Sequence, residues 1–294
     1  GTSTIVGDLT LTTGTDGSSG GLTQSGALTV GGTSSFTADD AVDQDAVLDN
    51  AGNDFEGMVT FDNTNGGSWR NLTIDDENAL TAVLTASGNS TLTAGGNLAV
   101  SGSTQDLTTT TTGGGTTIFG ATTIGGALLA TSDGAISQTG ALTVTGTTTL
   151  DAGANAIILD DAGNDFQSTV NATGGDLALA DGTGGLTLGD VTATGTLDAT
   201  STDGPIDQAA GTTISVDGET TLTASIGDNP ATDFDISLDG ANNDFADTVT
   251  ATGKAVTLVD TNALTAVLTA SGNSTLTAGG NLAVSGSTQD LTTT

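Results

Sequence analysis

Residues 78–110 and 262–294 are the same string of 33 residues, NALTAVLTASGNSTLTAGGNLAVSGSTQDLTTT, set 184 positions apart. A chain that repeats itself so faithfully must fold into units that can be copied and stacked, because each copy has to satisfy the same local geometry twice. Gln24 matches Gln208 at the same offset, and the register returns at Leu80 and Leu264 after small insertions. The chain thus holds roughly 1.6 copies of a long unit. It opens at Gly1 and begins and ends inside a unit, which fits an excerpt from a longer array.

A shorter module lies within the long one. Asn-Asp-Phe occurs at 53–55, 164–166 and 243–245, preceded each time by Leu-Asp (Leu48-Asp49, Leu159-Asp160, Leu238-Asp239). A valine follows four residues after each Phe, at Val59, Val170 and Val249, and a glutamine stands upstream at Gln24, Gln138 and Gln208.

Beneath both repeats, apolar centres recur about every nine residues, as at Leu142, Leu150, Ile158, Val170, Leu179, Leu188, Leu197 and Ile206. Each sits in a short alternating stretch such as Leu177-Ala178-Leu179. Alternation of period two marks strands, and Gly, Asn and Asp fill the intervening turns. No stretch carries a helical period. Strands this short and this alike suit a parallel solenoid better than a sandwich, whose module closes near 100 residues. The expected fold is therefore all-β, a β-solenoid of coils of about 18–20 residues, in about fifteen coils. It is expected to run as a single segment over 1–294, without internal borders.

Composition narrows the function classes. The chain has 35 acidic residues against two cations, Arg70 and Lys254, for a net charge of −33, and it has neither Cys nor His. Such a charge repels nucleic acid and anionic membrane surfaces. The missing Cys and His exclude disulfides, thiolate metal sites and the Ser-His-Asp and Cys-His catalytic sets within the chain. No apolar run is long enough for a transmembrane helix. Disorder, the usual fate of acidic chains poor in aromatics, is opposed by the 35% hydrophobic residues and their regular spacing.

Stretches such as GALTVTGTTTLDAGANAIILDDAGNDFQSTVNATGGDLALAD resemble the repeat regions of filamentous-haemagglutinin-like bacterial surface proteins. That resemblance implies a right-handed parallel β-helix, export to the cell surface, and roles in adhesion, biofilm or cell-to-cell contact.

No residue is assigned to catalysis, cofactor binding or metal binding, and no cofactor is expected. Several features still need weighing. Asp49, Asn53 and Asp54, with Asp160, Asn164, Asp165 and Asp239, Asn243, Asp244, offer the oxygen ligands calcium favours. The alternative is that Asn and Asp shape a turn, Phe enters the core and Val resumes a strand. The three Gln are either turn-facing or buried with partners on adjacent coils, and they lie too far apart to stack on each other. Thr108 to Thr112 and Thr147 to Thr149 raise an ordered-water face for ice, against ordinary strand preference for Thr. Ser68-Trp69-Arg70 lies in an insertion that is either an ordinary surface loop or one that a sugar could meet. A hydrolase or lyase would need carboxylates converging once, whereas here they recur with the module. The Asn-x-Ser/Thr strings at Asn71, Asn89, Asn171 and Asn273 are expected by chance in so Thr-rich a chain.

The expected role is a structural or adhesive fibre or stalk segment, extracellular and at the cell surface, and not an enzyme. Its partners would be neighbouring repeats, other copies laterally, and a cell-surface glycan or protein. The alternative is a binding module that recognises glycans or cells through its lateral face.

Overall fold

The computed structural model describes residues 1–14, 20–39, 42–64, 66–227 and 233–294. Strands make up the regular structure, with no helix among the described residues. They pair in parallel and stack as a β-solenoid of about 13 turns. Two compact units divide the chain, Gly1–Leu142 and Thr143–Thr294.

In the first unit one sheet runs through Leu9–Thr13, Ser34–Ala38, Val59–Asn63, Leu80–Thr85, Leu98–Thr104 and Thr117–Ile124. A second sheet runs through Leu22–Thr23, Asp43–Leu48, Ser68–Asp76, Ser90–Ala94, Leu107–Thr111 and Leu128–Thr131. The second unit repeats the plan. Its sheets contain, among others, Leu177–Asp181, Leu197–Ser201, Thr220–Ala224 and Thr248–Gly253 on one side, and Val170–Gly174, Leu186–Ala193, Val256–Asp260 and Ser274–Ala278 on the other.

Alternation decides which side chains enter. In Leu80–Thr85, Leu80, Ala82 and Leu84 are buried while Thr81, Val83 and Thr85 face out. Each inward Leu, Ile or Val contributes about 1.5–3 kcal/mol by leaving water. Small cores of this kind accept few large rings, and those present are concentrated. Phe36, Phe61 and Trp69 are buried together, with the two phenyl rings stacked at 5.1 Å and Trp69 edge-on to Phe61 at 5.6 Å.

Coil length departs from the expected 18–20 residues in one class of coil. Plain coils match it: Leu80 pairs with Leu98, and Leu98 with Thr117. Coils that carry the Gln and Asn-Asp-Phe module are longer. Leu9 pairs with Ser34, Ser34 with Val59, and Thr220 with Val249. The extra residues form a short third strand at the corner, so the same length of chain yields about 13 turns where fifteen were expected. Leu28–Val30 pairs there with Asp54–Phe55, and Ile214–Val216 with Asp244–Phe245. A wider coil has more interior to fill, which the buried Phe55 and Phe245 supply.

Candidate functional site

The corner module brings together two sequence motifs that looked separate. The Gln24 amide donates to Asn53 Oδ1 at 2.6 Å, and Asn53 Nδ2 donates back to Gln24 Oε1 at 2.9 Å. Gln208 and Asn243 form the same reciprocal pair at 2.7 and 2.8 Å. Each Asn then completes its bonding with backbone. Asn53 Oδ1 accepts Leu28 N–H and its Nδ2 donates to the Leu48 and Asp75 carbonyls. Asn243 accepts Ile214 N–H and donates to Leu238 C=O. Asn164 donates in the same way to the Leu159 and Ala180 carbonyls. Gln24 and Gln208 combine the two readings open for them: half-buried, each donates to a carbonyl of its own turn (Gly26 and Thr212) and pairs with the motif Asn about 30 residues on, not with another Gln.

This arrangement bears directly on the calcium reading. Asn53, Asn164 and Asn243 are buried, and the amides of Asn53 and Asn243 are spent on protein partners. Asp49, Asp160 and Asp239 lie exposed, while Asp54, Asp165 and Asp244 are half-buried. No group of three or more acidic side chains placed to hold a metal occurs among the described residues. The turn-forming reading describes the geometry: Phe55, Phe166 and Phe245 enter the core, and Val59, Val170 and Val249 resume buried strand positions.

A further member of the module was not singled out in the sequence. Asp76, Asp181 and Asp260 end strands whose backbone lies beside the motif Phe. Phe55 N–H donates to Asp76 Oδ2 and Phe166 N–H to Asp181 Oδ2, both at 3.1 Å. The other oxygen accepts from the residue two ahead: Asn78, Thr183 and Asn262 donate to Asp76, Asp181 and Asp260 at 2.8–2.9 Å. An Asp followed two residues on by Asn or Thr is the signal that would have found them, since it marks a side-chain turn.

Other turn carboxylates and amides cap the next coil. Asn71 N–H donates to Asp45, Asn89 N–H to Asn71, Asp106 N–H to Asn89 and Ala127 N–H to Asp106, a ladder climbing the first unit. In the second unit Asp190 N–H donates to Asn171 and Thr213 N–H to Asp190. Asp45, Asp106 and Asp190 thus serve as backbone acceptors at turns. Some also face each other. Burial raises Asp75, with Asp49 nearby adding to it; burial raises Asp198, with Asp160 adding; and burial raises Asp207, with Asp235 and Asp239 adding.

Trp69 is not available to a sugar. It is buried, and its indole N–H is shared between the Asp62 carbonyl at 3.0 Å and that of Phe36 at 3.3 Å. Arg70 is exposed and grips Asp45 through two nitrogens, which holds Asp45 below the usual carboxylate range. Among the Thr runs, Thr109, Thr111 and Thr148 point inward. The outward Thr91 and Thr93 align with Thr108 and Thr110, but the next coil places Leu129 in that row.

Such a site can hold coils in register and widen a corner, and its polar groups are turned toward the protein's own backbone. Comparison with known proteins adds one finding. No curated protein and no solved structure matches the chain. Residues 1–62, 104–173 and 174–252 each match one family of repeats, and each matched stretch contains one of the module glutamines (Gln24, Gln138, Gln208) and one Asn-Asp-Phe motif. With three copies covering well over half its length, the chain belongs to the family described as "Repeats of unknown function (DUF5649)".

Proposed function

We propose that this chain is a structural and adhesive stalk segment of a large, repetitive, extracellular bacterial surface protein of the filamentous-haemagglutinin-like kind. The observation that carries this reading is the commitment of the module's distinctive polar side chains, Gln24 with Asn53 and Gln208 with Asn243, to bonds between coils. A repeat that invests its signature residues in stacking is built to be extended. Function then follows from geometry: copies added in line carry whatever is attached to the end further from its anchor. The acidic turns keep neighbouring copies apart by like-charge repulsion.

The test is surface display of the chain ahead of a fluorescent tag, with and without one added 184-residue unit. The unit spans nine coils, counted from Leu80–Thr85 to Leu264–Ala270, which at ~4.8 Å each should carry the tag roughly 43 Å further from the cell surface, a shift readable by energy transfer to a membrane dye. An unchanged distance would sink the stalk. Specific capture of the purified chain on a glycan array would instead favour recognition through the lateral face.

A further inference from the structure

The three buried module aspartates share an electrostatic setting as well as a place. Asp76, Asp181 and Asp260 are 3%, 0% and 1% exposed, and no cation reaches them. Around Asp76, the corner strand Asp54–Phe55 brings Asp54, with Asp49, Glu56 and Glu77 at the strand ends, while Asp43 and Asp45 lie at the far end of the neighbouring strand Asp43–Leu48, opposite Ser68 to Asn71. Ser90–Ala94 brings no charge, and Arg70 on Asp76's own strand is bound to Asp45. Around Asp181 stand Asp165 on the corner strand, Asp198 on the next coil, and Asp160, Asp161 and Asp203 in the flanking turns. Around Asp260 stand Asp244 on the corner strand and Asp239 and Asp247 in the turns, while Lys254 and Asp235, which accepts from Ala255 N–H, both lie at the opposite end of the strand Val256–Asp260. Asp260 Oδ2 is buried without a hydrogen bond of ordinary geometry, although Phe245 N–H is its neighbour.

A carboxylate removed from water and surrounded by like charge is costly to keep ionised. We propose that Asp76, Asp181 and Asp260 make this solenoid tighten in mild acid, proton uptake by the three carboxylates stabilising the coils that carry them. The direction is opposite to that of a carboxylate in a salt bridge. Burial raises all three above the ordinary value of 3.8, and it raises Asp181 to about 6, with the hydrogen bonds from Thr183 and Phe166 opposing it and Asp165 adding to it. The folded state therefore holds these protons more tightly than the unfolded chain. Stability rises as pH falls through about 6 toward 3.8, and the gain is complete below the unfolded value.

The experiment is a carbon-detected NMR titration of the Asp181 carboxyl in the intact chain, followed together with the Phe166 amide. It is paired with melting curves at neutral and mildly acidic pH for wild type and for Asp76→Asn, Asp181→Asn and Asp260→Asn combined. High salt screens the general repulsion of the acidic surface but not a buried charge, so the melts are run at about 1 M salt. The expected result is an Asp181 midpoint near 6, shared by the Phe166 amide, and a rise in melting temperature on acidification that the triple variant loses. A midpoint near the ordinary ~4 of an exposed Asp, or an equal rise in the triple variant, would overturn the proposal. Should the triple variant not fold, the wild-type midpoint decides by itself.

Discussion

The two copies of the 33-residue string are alike in every local detail and unlike in burial. In the first copy Ser90 and Thr104 share a hydrogen bond of 2.8 Å and Thr104 Oγ1 reaches Gly88 C=O; in the second, Ser274 and Thr288 share one of 2.9 Å and Thr288 reaches Gly272 C=O. Gly102 and Gly286 both take positive φ, +109° and +101°, and a Cβ on either would lie 2.0 Å from the Leu84 or Leu268 carbonyl oxygen. Yet Val100 is 2% exposed and Val284 37%, and Leu107 is 0% exposed and Leu291 44%. The first copy is covered by Thr117–Ile124 and Leu128–Thr131, whereas Leu282–Ser287 and Leu291–Thr293 close the described stretch, so their exposure reflects where that stretch stops and shows what a covering coil does. Turn chemistry travels with the string. Burial belongs to the neighbouring coil.

The sharpest way to break this comparison is truncation of the paired leucines. In a polypeptide cut to residues 1–294, Leu107→Ala should cost about 2–5 kcal/mol by leaving a cavity, and Leu291→Ala less than ~1 kcal/mol, read from local hydrogen-exchange protection because long repeats need not unfold as one. Equal costs would show that coverage is not what separates the copies. Adding a copy of residues 111–142 behind Thr294 should bring the Leu291→Ala cost up to that of Leu107→Ala.

Gly102→Ala should cost more than ~2 kcal/mol, since positive φ and the approach to Leu84 both oppose a side chain. Gly286→Ala should cost less, as the uncovered strand Leu282–Ser287 can shift, though still more than Leu291→Ala. A smaller effect has the opposite sign. The Thr109 hydroxyl is buried without a partner, so Thr109→Val should stabilise by about 1 kcal/mol, while the exposed Thr293→Val should be neutral. The smallest contrast is a predicted equality. Thr104→Val and Thr288→Val remove matching bonds, and their costs, about 1 kcal/mol each, should differ by less than half of that in urea melts.

Much of the plan was legible because a strand's alternation shows on its face. Leu177, Leu179, Leu186 and Leu188 are buried as their spacing requires, and Phe55, Phe166 and Phe245 enter the core as one of the two readings had them. The pairing of Gln24 with Asn53 was not legible. It joins residues a coil apart, and the third corner strand that brings them together has only two or three residues to announce it. Trp69 misled for a related reason: in a loop its ring would face water, but the register shift between Gln44 and Ala46 starts a strand early and turns the indole inward.

By itself, the sequence determined the elements of this protein: period-two strands, glycine and Asx turns, and the hydrogen bonds contained within the 33-residue string, all reproduced wherever the string is reproduced. Only the tertiary structure decided which coils widen and which amides meet. The physical reason is that a strand carries its own alternation and turn preferences in its covalent order, whereas desolvation and coil-to-coil hydrogen bonding exist only once another stretch of chain has been laid on top of it.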